Sequence, residues 1–117
     1  MPGGINVTDI GLLHHLRFPG GPLILEIRAR GVPAGGQWPR MIVELSDAKV
    51  ADVEVNEREW RSYRVTVAPP PGSRPIRIRF PNDYINPATG EDRNLVVDKV
   101  SVIEEEIRFR LEAVEAG

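Results

Sequence analysis

The chain has 117 residues, of which 41% are hydrophobic and 27% charged, with a formal net charge of -2 and no cysteine. That size suits one domain, residues 1–117, able to bury a core without staples, and zero cysteine excludes disulfides, thiolate nucleophiles and cysteine zinc sites. The small net charge, with lysine only at Lys49 and Lys99, argues against a nucleic-acid partner, and no run approaches the length of a membrane helix.

Eleven prolines and eleven glycines fall between short apolar runs, which predicts many turns and few long helices. Ile5 to Asp9 and Leu12 to Phe18 read as entering strands or as loop packing. His14 and His15 are neighbours, and neighbours on a strand point to opposite faces, so the pair does not suit a shared metal. After the Pro19-Gly20-Gly21-Pro22 turn, Leu23, Leu25, Ile27 and Ala29 alternate with Ile24, Glu26, Arg28 and Arg30, the period of a half-buried strand.

Gly31 to Pro39 reads as a loop carrying Gln37 and Trp38, followed by a strand through Met41, Val43 and Leu45. Ser46-Asp47-Ala48 with Lys49 is expected to turn tightly into Val50 to Val55, and Asn56 to Glu59 is a polar connection. A strand then starts near Trp60, with Tyr63, Val65 and Val67 on one face and Arg64 and Thr66 on the other. The prolines of Pro69-Pro70-Pro71-Gly72 lack amide donors and end that ladder. Ile76, Ile78 and Phe80 alternate with Arg77 and Arg79, and Leu95 to Ile103 is continuously apolar enough for a central strand. Beyond Glu104 the alternation of Ile107, Phe109 and Leu111 favours another strand, although the last residues also suit a helical turn.

About eight short strands with turn chemistry between them predict an all-β fold, an antiparallel two-sheet jelly-roll β-sandwich. Both tryptophans lie at strand starts, where burial in the core or a satellite cluster is the default. Arg28, Arg30, Arg77 and Arg79 read as a solvated sheet face. Asp98, inside an apolar strand, needs a partner, as a loop brace or as a ligand of a second, structural ion.

The polar stretch from Asn82 to Asn94 stands out because Asn82, Asp83, Glu91, Asp92 and Asn94 bring five acid or amide side chains between two apolar runs. Crowded oxygen donors are what calcium prefers, since it takes several oxygen ligands in a flexible geometry. Pro87, Thr89 and Gly90 suit a return turn that would bring Asn82-Asp83 to face Glu91-Asp92-Arg93-Asn94. Asp83 and Asp92 could then hold the ion, with Asn82, Asn94, Glu91 or backbone carbonyls completing the shell. The spacing is not that of an EF-hand. The competing reading is that these residues make Asx-turns and pair with Arg93, and chemistry alone does not separate the two. No Ser/His/Asp or Cys/His arrangement is present, and plentiful carboxylates in so small a chain do not make a hydrolase.

Arg30-Gly31, Gly35-Gly36-Gln37-Trp38-Pro39-Arg40-Met41, Phe80-Pro81-Asn82-Asp83-Tyr84 and Glu91-Asp92-Arg93-Asn94-Leu95-Val96-Val97-Asp98-Lys99-Val100, in that order, resemble the calcium-dependent, xylan-binding group of carbohydrate-binding modules. The likeness covers roughly residues 23–103. It implies a jelly-roll β-sandwich without catalytic activity, usually appended to a secreted polysaccharide-degrading enzyme such as a glycoside hydrolase, in which calcium coordinates sugar hydroxyls directly. By position it implies Asp83 and Asp92 as metal ligands, with Asn82 and Asn94 beside them. Tyr84 could then offer a ring face to a pyranose, Arg93 could donate to hydroxyls, and Trp38 could act as a platform.

Two functions are therefore carried forward. One is calcium-dependent binding of a polysaccharide, xylan or a related β-glycan. The other is a structural or protein-interaction β-sandwich whose loop holds calcium only for stability, or no ion. The resemblance implies an extracellular setting, yet Met1-Pro2-Gly3-Gly4 lacks the basic start and apolar stretch of a signal peptide, so the expectation is a protein that stays inside or a domain cut from a longer secreted chain.

Overall fold

The computed structural model describes residues 5–6 and 12–104. Nine strands follow in chain order: β1 Ile5–Asn6, β2 Leu12–Phe18, β3 Leu23–Val32, β4 Arg40–Leu45, β5 Ala48–Glu54, β6 Arg61–Val67, β7 Gly72–Arg79, β8 Tyr84–Asn86 and β9 Glu91–Glu104. They form two antiparallel sheets. One has the order β1-β9-β3-β6, with β8 also paired to β9, and the other the order β2-β7-β4-β5. Setting aside the short β8, every connection except β4 to β5 crosses from one sheet to the other, which is the wrapping of a jelly roll. The tail beyond Glu104 lies outside the described residues, as do residues 7–11.

Strand alternation explains why the sheets face each other as they do. Leu23, Leu25, Ile27 and Ala29 of β3 are wholly buried and meet Met41 and Val43 of β4 and Ile76 and Ile78 of β7 in one core, with Phe18, Phe80, Leu95 and Val97 around them. Of the five even-numbered residues of β3, which alternate away from this core, Glu26, Arg28 and Arg30 are charged. From Leu95 to Val97 of β9 three successive residues are buried, as expected of a central strand, and β9 does lie between β1 and β3.

The turns follow their residue types. Ser46 and Asp47 both take positive φ, 50° and 69°, the geometry of a two-residue hairpin of the primed kind between β4 and β5. Thr89 and Gly90 amides both donate to the Asn86 carbonyl, closing the Pro87–Gly90 turn, with Gly90 at a φ of 78° that glycine accepts freely.

Some side chains depart from the sequence expectations and others meet them. Trp60 is half-buried and outside the core, because Arg28 and Arg30 stack over its indole at 4.8 and 5.3 Å from the ring centroid. The four arginines do not form one face: Arg28 and Arg30 belong to the β3 sheet and Arg77 and Arg79 to the β7 sheet, where both approach Glu44. Asp98 has its partner in Arg28, at 2.8 Å, and needs no second ion. His14 and His15 are both exposed, paired across the ladder with Ile76 and Pro75.

Candidate functional site

Three connections meet at one end of the sandwich: the β3–β4 segment 33–39, the β5–β6 segment 55–60 and the β7–β8–β9 hairpin. Backbone bonds tie them, from Gly31 N to Glu57 O at 2.8 Å and from Val55 N to Pro39 O at 2.9 Å. Asn82 adds the hairpin to this set. Its Oδ1 accepts from Arg40 N at 2.9 Å and its Nδ2 donates to Trp38 O at 3.0 Å, so the whole amide is engaged with backbone.

The polar stretch that looked like a loop is a β-hairpin. Tyr84 pairs with Arg93, Ile85 with Asp92 and Asn86 with Glu91, so the chain does fold back and bring its two polar ends together. The same pairing divides the candidate residues by face, because facing residues share a side and neighbours alternate. Tyr84, Asn86, Glu91 and Arg93 share one side. Asp92 shares the other with Ile85, which is 66% exposed, and with Asn94 two residues on. Asp83 stands directly before β8, exposed, with its Oδ1 accepting from Tyr84 N at 2.8 Å.

Arg93 is the one buried charged residue among those described, at 6% exposure. Its Nε and Nη2 donate to Ala34 O at 3.2 and 2.8 Å, and Nη1 donates to Asn82 O. The guanidinium also lies 4.9 Å from the centre of the Tyr84 ring. A planar fork fits this task, since it reaches two carbonyls from different loops at once. Arg93 therefore locks the hairpin to the 33–39 segment and forms no ion pair with the acids beside it. Asp83, Glu91 and Asp92 have no ion-pair partner among the described residues, and all three are exposed.

Tyr84 packs against its own surroundings. Its hydroxyl accepts from Asn86 Nδ2 at 3.3 Å, and its ring approaches the Gly35 backbone so closely that a Cβ there would lie 2.9 Å from Cε2. Gly35, at a φ of 61°, is thus a site residue that periodicity could not reveal. Its only signal was the Gly35-Gly36 pair in a Pro- and Trp-bounded loop. Trp38 is half-buried at the same end, with the Arg58 guanidinium 6.0 Å from its ring centre. Asn94 Nδ2 donates to Asp92 O at 3.3 Å, an interaction that does not engage its Oδ1.

The donors fit a hard cation in kind, being carboxylates and an amide with no cation already paired to them. Among the described residues no three His, Cys, Asp or Glu side chains gather closely enough to hold a metal by themselves. An ion at this hairpin would therefore draw further oxygens from amides, backbone, water or ligand.

Residues 24–115 match the model of the CBM60 family, the Ca-dependent, xylan-binding carbohydrate-binding modules. Neither the curated proteins nor the solved structures yielded a match. The match spans most of the chain, including both arms of the hairpin and the Trp38 segment, and its members are non-catalytic binding modules. Jelly-roll wrapping, a hairpin whose carboxylates have no ion-pair partner among the described residues, and this match agree: the chain belongs to the family of calcium-dependent, xylan-binding carbohydrate-binding modules.

Proposed function

We propose that this chain binds a xylan-like β-glycan without transforming it, through a calcium ion held at the β8–β9 hairpin by Asp83, Asp92 and Asn94, with Glu91, on the other side of the hairpin, adding charge but not a ligand. The observation that carries this reading is the set of exposed hairpin carboxylates left without a cation, although an arginine stands in their midst. Three like charges at one hairpin repel one another, and a divalent ion relieves that repulsion.

When bound, calcium supplies open coordination positions that a pair of sugar hydroxyls can fill in place of water. The residues of the chain do the rest. Asp83, Asp92 and Asn94 offer oxygen donors. Asn82 and Arg93 are positioning residues, because they fix the hairpin to the Trp38 segment through backbone bonds. Trp38, half-exposed beside them, is the apolar surface for a pyranose ring, while the packed Tyr84 ring shapes the hairpin. The same reading extends to an extracellular module attached to a polysaccharide-degrading enzyme, which it would keep near its substrate.

Calorimetric titration with xylo-oligosaccharides tests this. Binding is expected in calcium and lost in excess chelator, and Asp92→Ala and Asp83→Ala should each weaken it about ten-fold or more, as loss of metal-site residues does. Binding indifferent to chelator would overturn the calcium mechanism. A fall in melting temperature on chelation, with no glycan bound under any condition, would instead favour an ion that serves only the stability of an interaction domain.

A further inference from the structure

On the outer face of the β3 sheet, Arg28 and Arg30 project toward Trp60, which directly precedes β6, one residue beyond the Ala29–Arg61 pair that ends the ladder. Two of the cations on this face are already matched: Arg28 bonds Asp98 at 2.8 Å and Arg64 bonds Glu26 at 2.8 Å. The side chains of Arg30 and Lys99 make no ion pair and no hydrogen bond among the described residues, and the Arg30 guanidinium is held only over the indole. A guanidinium steadied on an aromatic ring presents its planar donors with less freedom to lose, and those donors fit a carboxylate in a bidentate manner.

The register sets this patch against the hairpin. Arg30 pairs with Val96 and Val32 with Asn94, so Arg30, Val96, Asn94 and, by alternation, Asp92 share the outer face of one sheet. Trp60 is two strands and four residues from Asp92, or about 15–20 Å at ordinary strand spacing and rise. That is within the reach of one oligosaccharide. It also exceeds the screening length of about 8 Å at physiological salt, so the patch does not neutralise the hairpin acids.

We propose that Arg30, seated on Trp60, with Lys99 opposite Arg28 two residues along the strand, recognises a carboxylate side group on the glycan whose backbone is held at the hairpin, making a uronic-acid-decorated chain the preferred ligand. The proposal rests on the glycan-binding reading above. The whole chain, in calcium and at low salt, is titrated with glucuronoxylan and with the same polymer after reduction of its carboxyl groups. The native polymer should bind about three- to five-fold more tightly, the effect of one exposed ion pair. Arg30→Gln should remove that preference while retaining affinity for the reduced polymer, and salt near about 0.5 M should remove it in the unaltered chain. Arg64→Gln, whose cation is already paired, should leave it intact. Equal binding of the two polymers by the unaltered chain, or a preference that persists in Arg30→Gln, overturns this proposal alone. Failure of both polymers to bind in calcium overturns it together with the glycan-binding reading.

Discussion

Arg93 illustrates how one residue can be legible in kind and misread in role. Its place between acids suggested neutralisation or sugar contact, whereas its guanidinium is buried on the carbonyls of Ala34 and Asn82. Arg93→Met leaves those buried acceptors without donors, and a loss of about 2–5 kcal/mol is expected in urea unfolding, since each unsatisfied buried group costs about 1–3 kcal/mol. Arg93→Lys should not restore it, because an ammonium cannot reproduce the fork. Tyr63 is the opposite case: its hydroxyl is buried with no hydrogen-bond partner among the described residues. Tyr63→Phe is expected to be neutral or stabilising by up to about 1 kcal/mol. Burial, the main cause, pushes the Tyr63 pKa above its ordinary 10.0. The neutral phenol is thus favoured by folding, a contribution intact below pH 10 and lost as pH rises through the raised value. Alkaline unfolding of Tyr63→Phe should accordingly begin at higher pH than that of the unaltered chain.

At the scale of elements, alternation and turn chemistry account for most of the sandwich. The strands expected at 23–30, at 41–45, from near Trp60 to Val67 and from Ile76 to Phe80 all appear, at Leu23–Val32, Arg40–Leu45, Arg61–Val67 and Gly72–Arg79, because period-two burial is a local property. Leu25, wholly buried on the inner face of β3, should cost about 2–5 kcal/mol when replaced by alanine, measured as a shift in unfolding midpoint at constant slope. The Ser46-Asp47 turn is legible but not optimal. Both residues take a conformation that costs non-glycine residues about 1–2 kcal/mol, partly offset in glycine by its freer unfolded chain. Asp47→Gly should therefore raise stability by about 0.5 kcal/mol, seen as a small rise in melting temperature. The hairpin at Tyr84–Asn86 escaped strand assignment because its arm is three residues long and carries no apolar alternation.

For the whole molecule, the jelly-roll wrapping gathers three connections at one end, and any ion bound there stabilises everything those connections tie together. If calcium binds only the native chain, saturation at about a hundred times its dissociation constant adds about 2.7 kcal/mol. For a chain of this size that corresponds to a rise in melting temperature on the order of 10 °C. Scanning calorimetry with and without calcium should show the rise, and Asp92→Ala should abolish it. No rise in the unaltered chain would mean that the hairpin does not hold the ion in the folded state.

The amino-acid sequence by itself determined the all-β class, the alternation that builds the core and the concentration of oxygen donors between Asn82 and Asn94. Each depends on neighbours in the chain, through side-chain period, proline's missing donor or plain composition. Only the tertiary structure decided which donors share a face, where Arg93 turns and that Trp60 lies under two arginines outside the core. Those outcomes depend on strand register and on contacts such as Arg93 with Ala34, fifty-nine residues apart, which no local pattern encodes.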